Sequence, residues 1–198
     1  MSTGILALWN DCVAEHRDTY EAWYAEEHLP ERLGLPGFLR GRRYAAIGPG
    51  TEYFTYYEVK SAAVLVSDVY LNRVNDPTPR TRFVMAEAFR SMSRTICDVA
   101  ARHGRMRGAW AVTVTGTGLP DPERLAARRG IARVELWRQS PLDAPSENAE
   151  SRLRGGDVTV PACLFAETFR EADAQALAAD FPGARIWQFL GELEAPAR

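Results

Sequence analysis

The chain has 198 residues, a formal net charge of −2 at neutral pH, 46% hydrophobic residues and 25% charged residues. This is the composition of a soluble globular protein. A charge so near zero excludes the broad electrostatic footprint expected of a nucleic-acid or anionic-membrane binder. Lys60 is the sole lysine, and the arginine bias suggests a GC-rich bacterial gene.

Cys12, Cys97 and Cys163 are far apart and odd in number. They read as reduced, buried thiols rather than a disulfide frame or a zinc site. The opening MSTGILALWND has neither a basic segment nor a long apolar core, so no signal peptide is expected. No stretch reaches the ~20 apolar residues of a membrane span, and a cytoplasmic location is expected.

Ile5 to Trp9 is a short apolar run, read as a buried strand, with Asn10 and Asp11 placed to cap the helix that follows. That helix runs to about Leu29, with one further turn through Leu33 after Pro30. On a wheel of ~100° per residue, Val13, Tyr20, Trp23 and Tyr24 form its apolar arc. Glu27 falls inside that arc and His28 at its edge. Pro36-Gly37 turns the chain. Phe38 to Ile47 and Tyr53 to Val59 then form a hairpin. Ser61 opens a helix that closes at residues 75–77, Thr81 to Phe89 is a further helical piece, and Ser93 to Ala101 is a strand. After a break at residues 104–108, Trp110 to Thr115 is a strand and Pro120 to Arg129 a helix capped by Asp121, with Pro122 at its first position. Ile131 to Arg138 is a strand, and Ser140 to Val160 a long polar connection. Cys163 to Phe169 is a strand, Glu171 to Phe181 a helix, and Ala184 to Leu190 a final strand.

The order strand-helix-strand-strand-helix-strand therefore occurs twice, as residues 1–104 and 105–198. The expected fold is α+β: two tandem ferredoxin-like repeats whose antiparallel sheets pack face to face as an α/β barrel. Strands such as WAVTVT and IWQFLG are apolar on both faces, so each sheet needs a cover on both sides.

The segment WYAEEHLPERLGLPGFLRGRRY, with a His-x-Pro step leading through a Pro-Gly turn into a strand, resembles the dimeric α/β-barrel superfamily. Within it, the segment looks like the EthD-like and related uncharacterised bacterial members. Such proteins usually close the barrel from two chains, and a tandem repeat would close it from one. The resemblance implies a small-molecule ligand, and activities ranging from cofactor-free oxygenation, lactone isomerisation and polyketide cyclisation to dehydration and haem-dependent chemistry. It does not choose among them. The second half, with PERLAARRG, has neither the histidine nor the Pro-Gly exit, so a single site is expected.

His28 is the candidate catalytic residue, a general acid or base whose protonated form the helix end and Glu26, Glu27 and Glu31 would favour. The competing reading is structural, the imidazole capping the turn at residues 35–37. Glu27 is expected to pair with Arg42 or Arg43, since a buried carboxylate without a partner is costly. Arg40, Arg42 and Tyr44 share one strand face, and Arg43 points the other way. On the partner strand Phe54, Tyr56 and Glu58 share one face, and Tyr53, Thr55, Tyr57 and Val59 the other. Either set can line the barrel. The candidate ligand-binding set is Trp23, Tyr24, Glu27, Arg42, Tyr44, Tyr56 and Glu58. With three histidines and no ligand spacing, no metal site is expected, and no cofactor motif is present. Two functions follow: a cofactor-independent enzyme acting on an aromatic or polyketide-like compound, or a non-catalytic binding or stress-response barrel. Either would act as a monomer or homodimer, without nucleic acid or membrane as partner.

Overall fold

The computed structural model describes residues 2–142, 144–145 and 147–196. Eight antiparallel strands close into one barrel: β1 (Gly4–Cys12), β2 (Phe38–Ile47), β3 (Tyr53–Val59), β4 (Phe89–His103), β5 (Trp110–Thr115), β6 (Ile131–Gln139), β7 (Ala162–Thr168) and β8 (Arg185–Glu194). Around the ring their order is β1-β3-β2-β8-β5-β7-β6-β4. Each half of the chain thus supplies four adjacent strands, β4-β1-β3-β2 and β8-β5-β7-β6. The inner faces of these sheets oppose each other, and their edges join as well, through β2–β8 and β4–β6 ladders. Among the described strands closure leaves each with a neighbour on both sides, which removes the open sheet edges that can template aggregation.

Period-2 alternation sorts the side chains. Ile5, Ala7, Trp9, Tyr44, Phe54, Tyr56, Cys97, Trp137, Cys163, Phe165 and Trp187 fill the lumen. Leu6, Leu8, Tyr57 and Val59 face outward and pack beneath the helices of the first half. Val112, Val134 and Leu164 do the same for the helices of the second half. All three thiols are buried, and burial raises Cys12 to about 11 and Cys97 to about 12. They stay protonated and inert at neutral pH.

The first helical layer departs from a plain α-helix. A 3₁₀ turn at Ala14–His16 leads into α1 (Arg17–Trp23), a π-helical turn at Tyr24–His28, and α2 (Leu29–Leu33). Asn10 and Asp11, the expected caps, lie inside β1. Asn10 donates to the Tyr20 hydroxyl at 3.1 Å, and Asp11 accepts from the amide of Glu52 at 2.9 Å. The second layer is a 3₁₀ turn at Ala62–Val66, α3 (Asp68–Asn75) capped by Ser67, α4 (Pro79–Phe83) capped by Thr78, and another π-turn at Val84–Ala88. In the second half α5 (Pro122–Ala126) is capped by Asp121 as its sequence requires.

The polar stretch read as a plain connection contains a helix, α6 (Ala149–Leu153), closed at its N-terminus by a capping box between Asn148 and Ser151. It docks on the first half of the chain, where the Asn75 side chain accepts the Ala149 amide at 3.0 Å. The last helix is α7 (Glu171–Ala178).

Candidate functional site

The π-turn sets the site. Its wider backbone rotates His28 inward, and the buried imidazole stacks on Trp23 with ring centroids 4.1 Å apart. Tyr24 meets it edge-on at 5.3 Å and Tyr57 at 6.5 Å. The imidazole makes no hydrogen bond among the described residues, and its Nδ1 is buried without a partner. So is the hydroxyl of Tyr57. Both residues line one small chamber between the helical layer and the outer face of the barrel.

Arg32, Tyr70, Arg94, Glu150 and Arg154 complete the polar part of that chamber, and Leu6, Leu8, Met85 and Phe89 its apolar part. Its volume is about 20 Å³, room for one water. Arg32 is held between Glu31, at 2.8 Å, and Glu150 of α6. Arg94 donates to the Tyr70 hydroxyl at 2.9 Å. Arg154 forms a two-point pair with Asp157 at 2.8 and 2.7 Å. The roof is therefore α6, and both π-turns border the chamber. Such turns cluster at functional sites.

The electrostatics reverse the expectation for His28. Burial, followed by the fields of Arg32, Arg154, Arg43 and Arg73, holds it well below the usual imidazole range. The three acids expected to keep it charged are engaged elsewhere. Glu26 pairs with Arg80 at 2.9 Å, Glu31 with Arg32 and Arg73, and Glu27 accepts from Thr78 at 2.5 Å and Thr81 at 3.1 Å. Nor does His28 cap a helix end, since the helix continues through Leu33. Tyr57 stays a neutral phenol, its ionisation pushed well above the ordinary value by burial.

Of the candidate binding residues, Trp23 and Tyr24 lie against His28. Glu27 is one link away: the Trp23 Nε1 donates to Thr81 Oγ1 at 3.0 Å, and that hydroxyl donates to Glu27. The expected pairing of Glu27 with Arg42 or Arg43 does not form. Arg43 instead bonds Glu21 at 2.7 Å and lies 3.9 Å from the Tyr24 ring centroid.

Arg42, Tyr44, Tyr56 and Glu58 are across the barrel wall, in the lumen. Arg42 donates to Tyr44 at 2.8 Å and pairs with Glu167 at 3.0 Å and Glu192 at 2.7 Å. Arg107 donates to Tyr56 at 2.8 Å and pairs with Glu58 at 3.3 Å, and Arg102 reaches Glu58 at 2.7 Å. Burial works to raise Glu58, yet Arg102 and Arg107 outweigh it and hold it below the usual carboxylate range. Glu167 is so deeply buried that it stays above that range despite Arg42 and Arg107. This network plugs one end of the barrel. It is separated from His28 because successive residues of β3 point to opposite faces: Tyr56 inward, Tyr57 outward.

Arg32, Tyr57, Tyr70, Arg94, Glu150 and Arg154 were not among the expected site residues. Arg32 carried a signal, being four positions after His28 on one helix face. Glu150 and Arg154 carried none, since only the tertiary fold brings α6 over the chamber. Among the described residues no group of three or more histidine, cysteine or acidic side chains comes together to hold a metal ion.

No known family model matches the sequence, and no curated protein matches it. Solved structures do match the fold. An anthrone oxidase-like protein superposes with a TM-score of 0.62 at 10% identity, covering 99% of this chain and 94% of its own. A monooxygenase-like protein from Fusobacterium nucleatum gives 0.55 at 10% identity, with 98% and 94% covered. A chlorite dismutase-like protein gives 0.54 at 9% identity, with 96% of each covered. What the chain shares with these neighbours is a mixed α+β fold, which here closes as an eight-stranded antiparallel barrel. At such identities the likeness concerns the fold alone.

Proposed function

We propose that the protein is a cofactor-independent enzyme of the α/β-barrel type that acts on an aromatic or polyketide-like compound, with His28 as its proton acceptor. One observation carries the reading: His28 Nδ1 and Tyr57 Oη are buried, unpartnered and on the same chamber. Native interiors rarely leave two such atoms idle without a reason. The imidazole is neutral, and burial and the arginines weaken it as a base. It is nonetheless free to accept a proton from a hydroxyl or C–H of the ligand that the same arginine field makes more acidic. The Tyr57 hydroxyl then donates to the resulting oxyanion, and the arginine field that disfavours imidazolium favours that anion. Tyr24 supplies an aromatic wall of the chamber, and Trp23, held by Glu27 through Thr81, backs the imidazole. Names such as anthrone oxidase-like and monooxygenase-like among the fold neighbours are compatible with dioxygen as the co-reactant of such an anion.

The finer architecture belongs to the same reading. Two tandem ferredoxin-like repeats, 1–104 and 105–198, are supported by the repeated strand order. The HLPERLGLPG segment supports an EthD-like origin. We take the protein to be cytoplasmic and bacterial, a monomer or homodimer, with Arg42, Tyr44, Tyr56 and Glu58 serving the lumen rather than the His28 chamber. Among the described residues no helix is long and apolar enough to cross a membrane.

A chamber of about 20 Å³ beside a lumen filled with tryptophan and tyrosine favours a second reading, a non-catalytic binding or stress-response barrel. Catalysis requires α6 to lift so that a ring can enter. Untargeted mass spectrometry of a bacterial metabolite extract, incubated with wild type and with a folded His28→Ala variant, separates the two. Turnover by wild type alone supports the enzyme. Retention of a compound by both proteins without turnover leaves the binding reading.

A further inference from the structure

We infer that the open end of the barrel, opposite the arginine–glutamate plug, is a second ligand site, and that it takes a small aromatic carboxylate. A cavity of about 260 Å³ lies there, with Trp9, Ser93, Thr113, Val160, Arg185 and Trp187 in its lining. Barrel mouths are a preferred place for small-molecule sites, although this one is slightly smaller than most. Its size suits a single ring with one or two substituents.

Among the described residues Arg185 is the one formal charge in the lining, no carboxylate lines the cavity, and no acidic group lies within ion-pair reach of Arg185. The arginines at the plugged end each have such a partner, including Arg42, Arg102, Arg107 and Arg133. Arg185 is nonetheless held in place. Its Nη2 donates to the Thr51 carbonyl at 2.8 Å, and its guanidinium lies 5.3 Å from the centroid of the Trp187 ring. Gly50, with φ of 104°, gives the guanidinium its seat, because a side chain at that position would run into it. An oriented cation with no counter-ion is a receptor for a planar anion, which the guanidinium fork matches in two points.

The remaining lining fits the body of such a ligand. Trp9, stacked on Phe54 at 5.1 Å, offers apolar surface beside Val160. Ser93 Oγ is buried without a partner. Thr113 already accepts the Trp187 Nε1 at 2.8 Å, so its own proton is free to donate. A ring hydroxyl has two side chains to meet. This site shares no residue with the His28 chamber and does not depend on the function assigned there.

The test is calorimetric titration of the full chain with benzoate and 4-hydroxybenzoate, checked by tryptophan fluorescence, since Trp9 and Trp187 report on the cavity. Saturable binding with Kd below ~1 mM is expected for wild type, at least tenfold tighter than for neutral benzamide. Arg185→Gln should weaken it at least tenfold while near-ultraviolet circular dichroism is unchanged. His28→Ala should leave it within twofold. No saturable binding of either acid overturns the proposal, as does equal affinity of wild type and Arg185→Gln. Loss in His28→Ala with retention in Arg185→Gln also overturns it, by moving the ligand to the other chamber. Tighter binding of phenyl phosphate than of benzoate overturns the carboxylate assignment.

Discussion

His28 and Trp23 stack ring on ring, 4.1 Å between centroids and 29° between planes, although they are five positions apart. In a regular α-helix that separation would place them about 140° apart around the axis. The π-turn at Tyr24–His28, with its i to i+5 bonding, brings them onto one face. The same rotation carries Glu27 out of the aromatic arc and toward Thr78, Thr81 and Arg80. The helix thus exchanges an acid for a histidine at the buried position.

That exchange has a pH signature. The folded-state pKa of His28 is depressed well below the unfolded value near 6.5, so the unfolded chain binds more protons on acidification. Stability is retained above pH 6.5 and is lost as pH falls from there through the folded value. His28→Gln, which cannot take up a proton, should flatten this loss. Urea midpoints from pH 8 down to pH 5 measure it. Parallel curves for wild type and variant would mean that His28 is not the group that titrates.

Much of the fold could be read from the residues, and the reasons are local. Alternation in YFTYYEV and WAVTVT specifies strands with two buried faces, and Asp121-Pro122 specifies a helix start. The π-turn was hidden because YEAWYAEEH contains no break in its 100° pattern, and its insertion is stabilised by tertiary packing of Trp23, Tyr24 and Phe89. Which face of β3 enters the lumen was equally hidden, since Tyr56 and Tyr57 are equally buried. The roof over His28 was illegible for a different reason: Glu150 and Arg32 are 118 positions apart.

The Arg32–Glu150 pair fastens that roof. Arg32 is 2% exposed and Glu150 5% exposed, so removing one partner leaves a desolvated charge. Glu150→Ala should destabilise by about 3 kcal/mol, the low end for a broken buried pair because Glu31 still holds Arg32. The double variant Arg32→Met with Glu150→Leu should recover most of that loss by replacing the pair with apolar volume. Urea unfolding gives both numbers. Hydrogen exchange at the α6 amides should accelerate in the single variant only.

Arg43 lies against three tyrosine rings, 3.9 Å from the centroid of Tyr24, 5.3 Å from Tyr20 and 5.7 Å from Tyr53, and pairs with Glu21. Its Nε and Nη2 have no polar partner, so the aromatic faces are what satisfy them. A lysine keeps the charge but loses the planar stack. Arg43→Lys should therefore cost about 1–2 kcal/mol. A urea midpoint unchanged from wild type would show that charge alone matters at this position.

Arg107, in the segment joining β4 to β5, closes the charged end of the barrel by reaching Tyr56, Glu58 and Glu167 from one guanidinium. Arg107→Ala should cost about 2 kcal/mol at pH 8, less than for a fully buried pair because the side chain is 22% exposed and both acids retain other arginines. The deficit should shrink toward pH 5. Glu167 already titrates above the usual carboxylate range because of its burial, and losing Arg107 raises it further, so the folded variant takes up a proton more readily than the unfolded chain. Glu58 moves in the same sense, since part of what holds it below that range is Arg107. Acidification therefore relieves in the variant the repulsion that the arginine relieves in wild type. Urea midpoints of both proteins at pH 5 and pH 8 decide it: a deficit equal at the two pH values would mean that Arg107 acts through packing rather than charge.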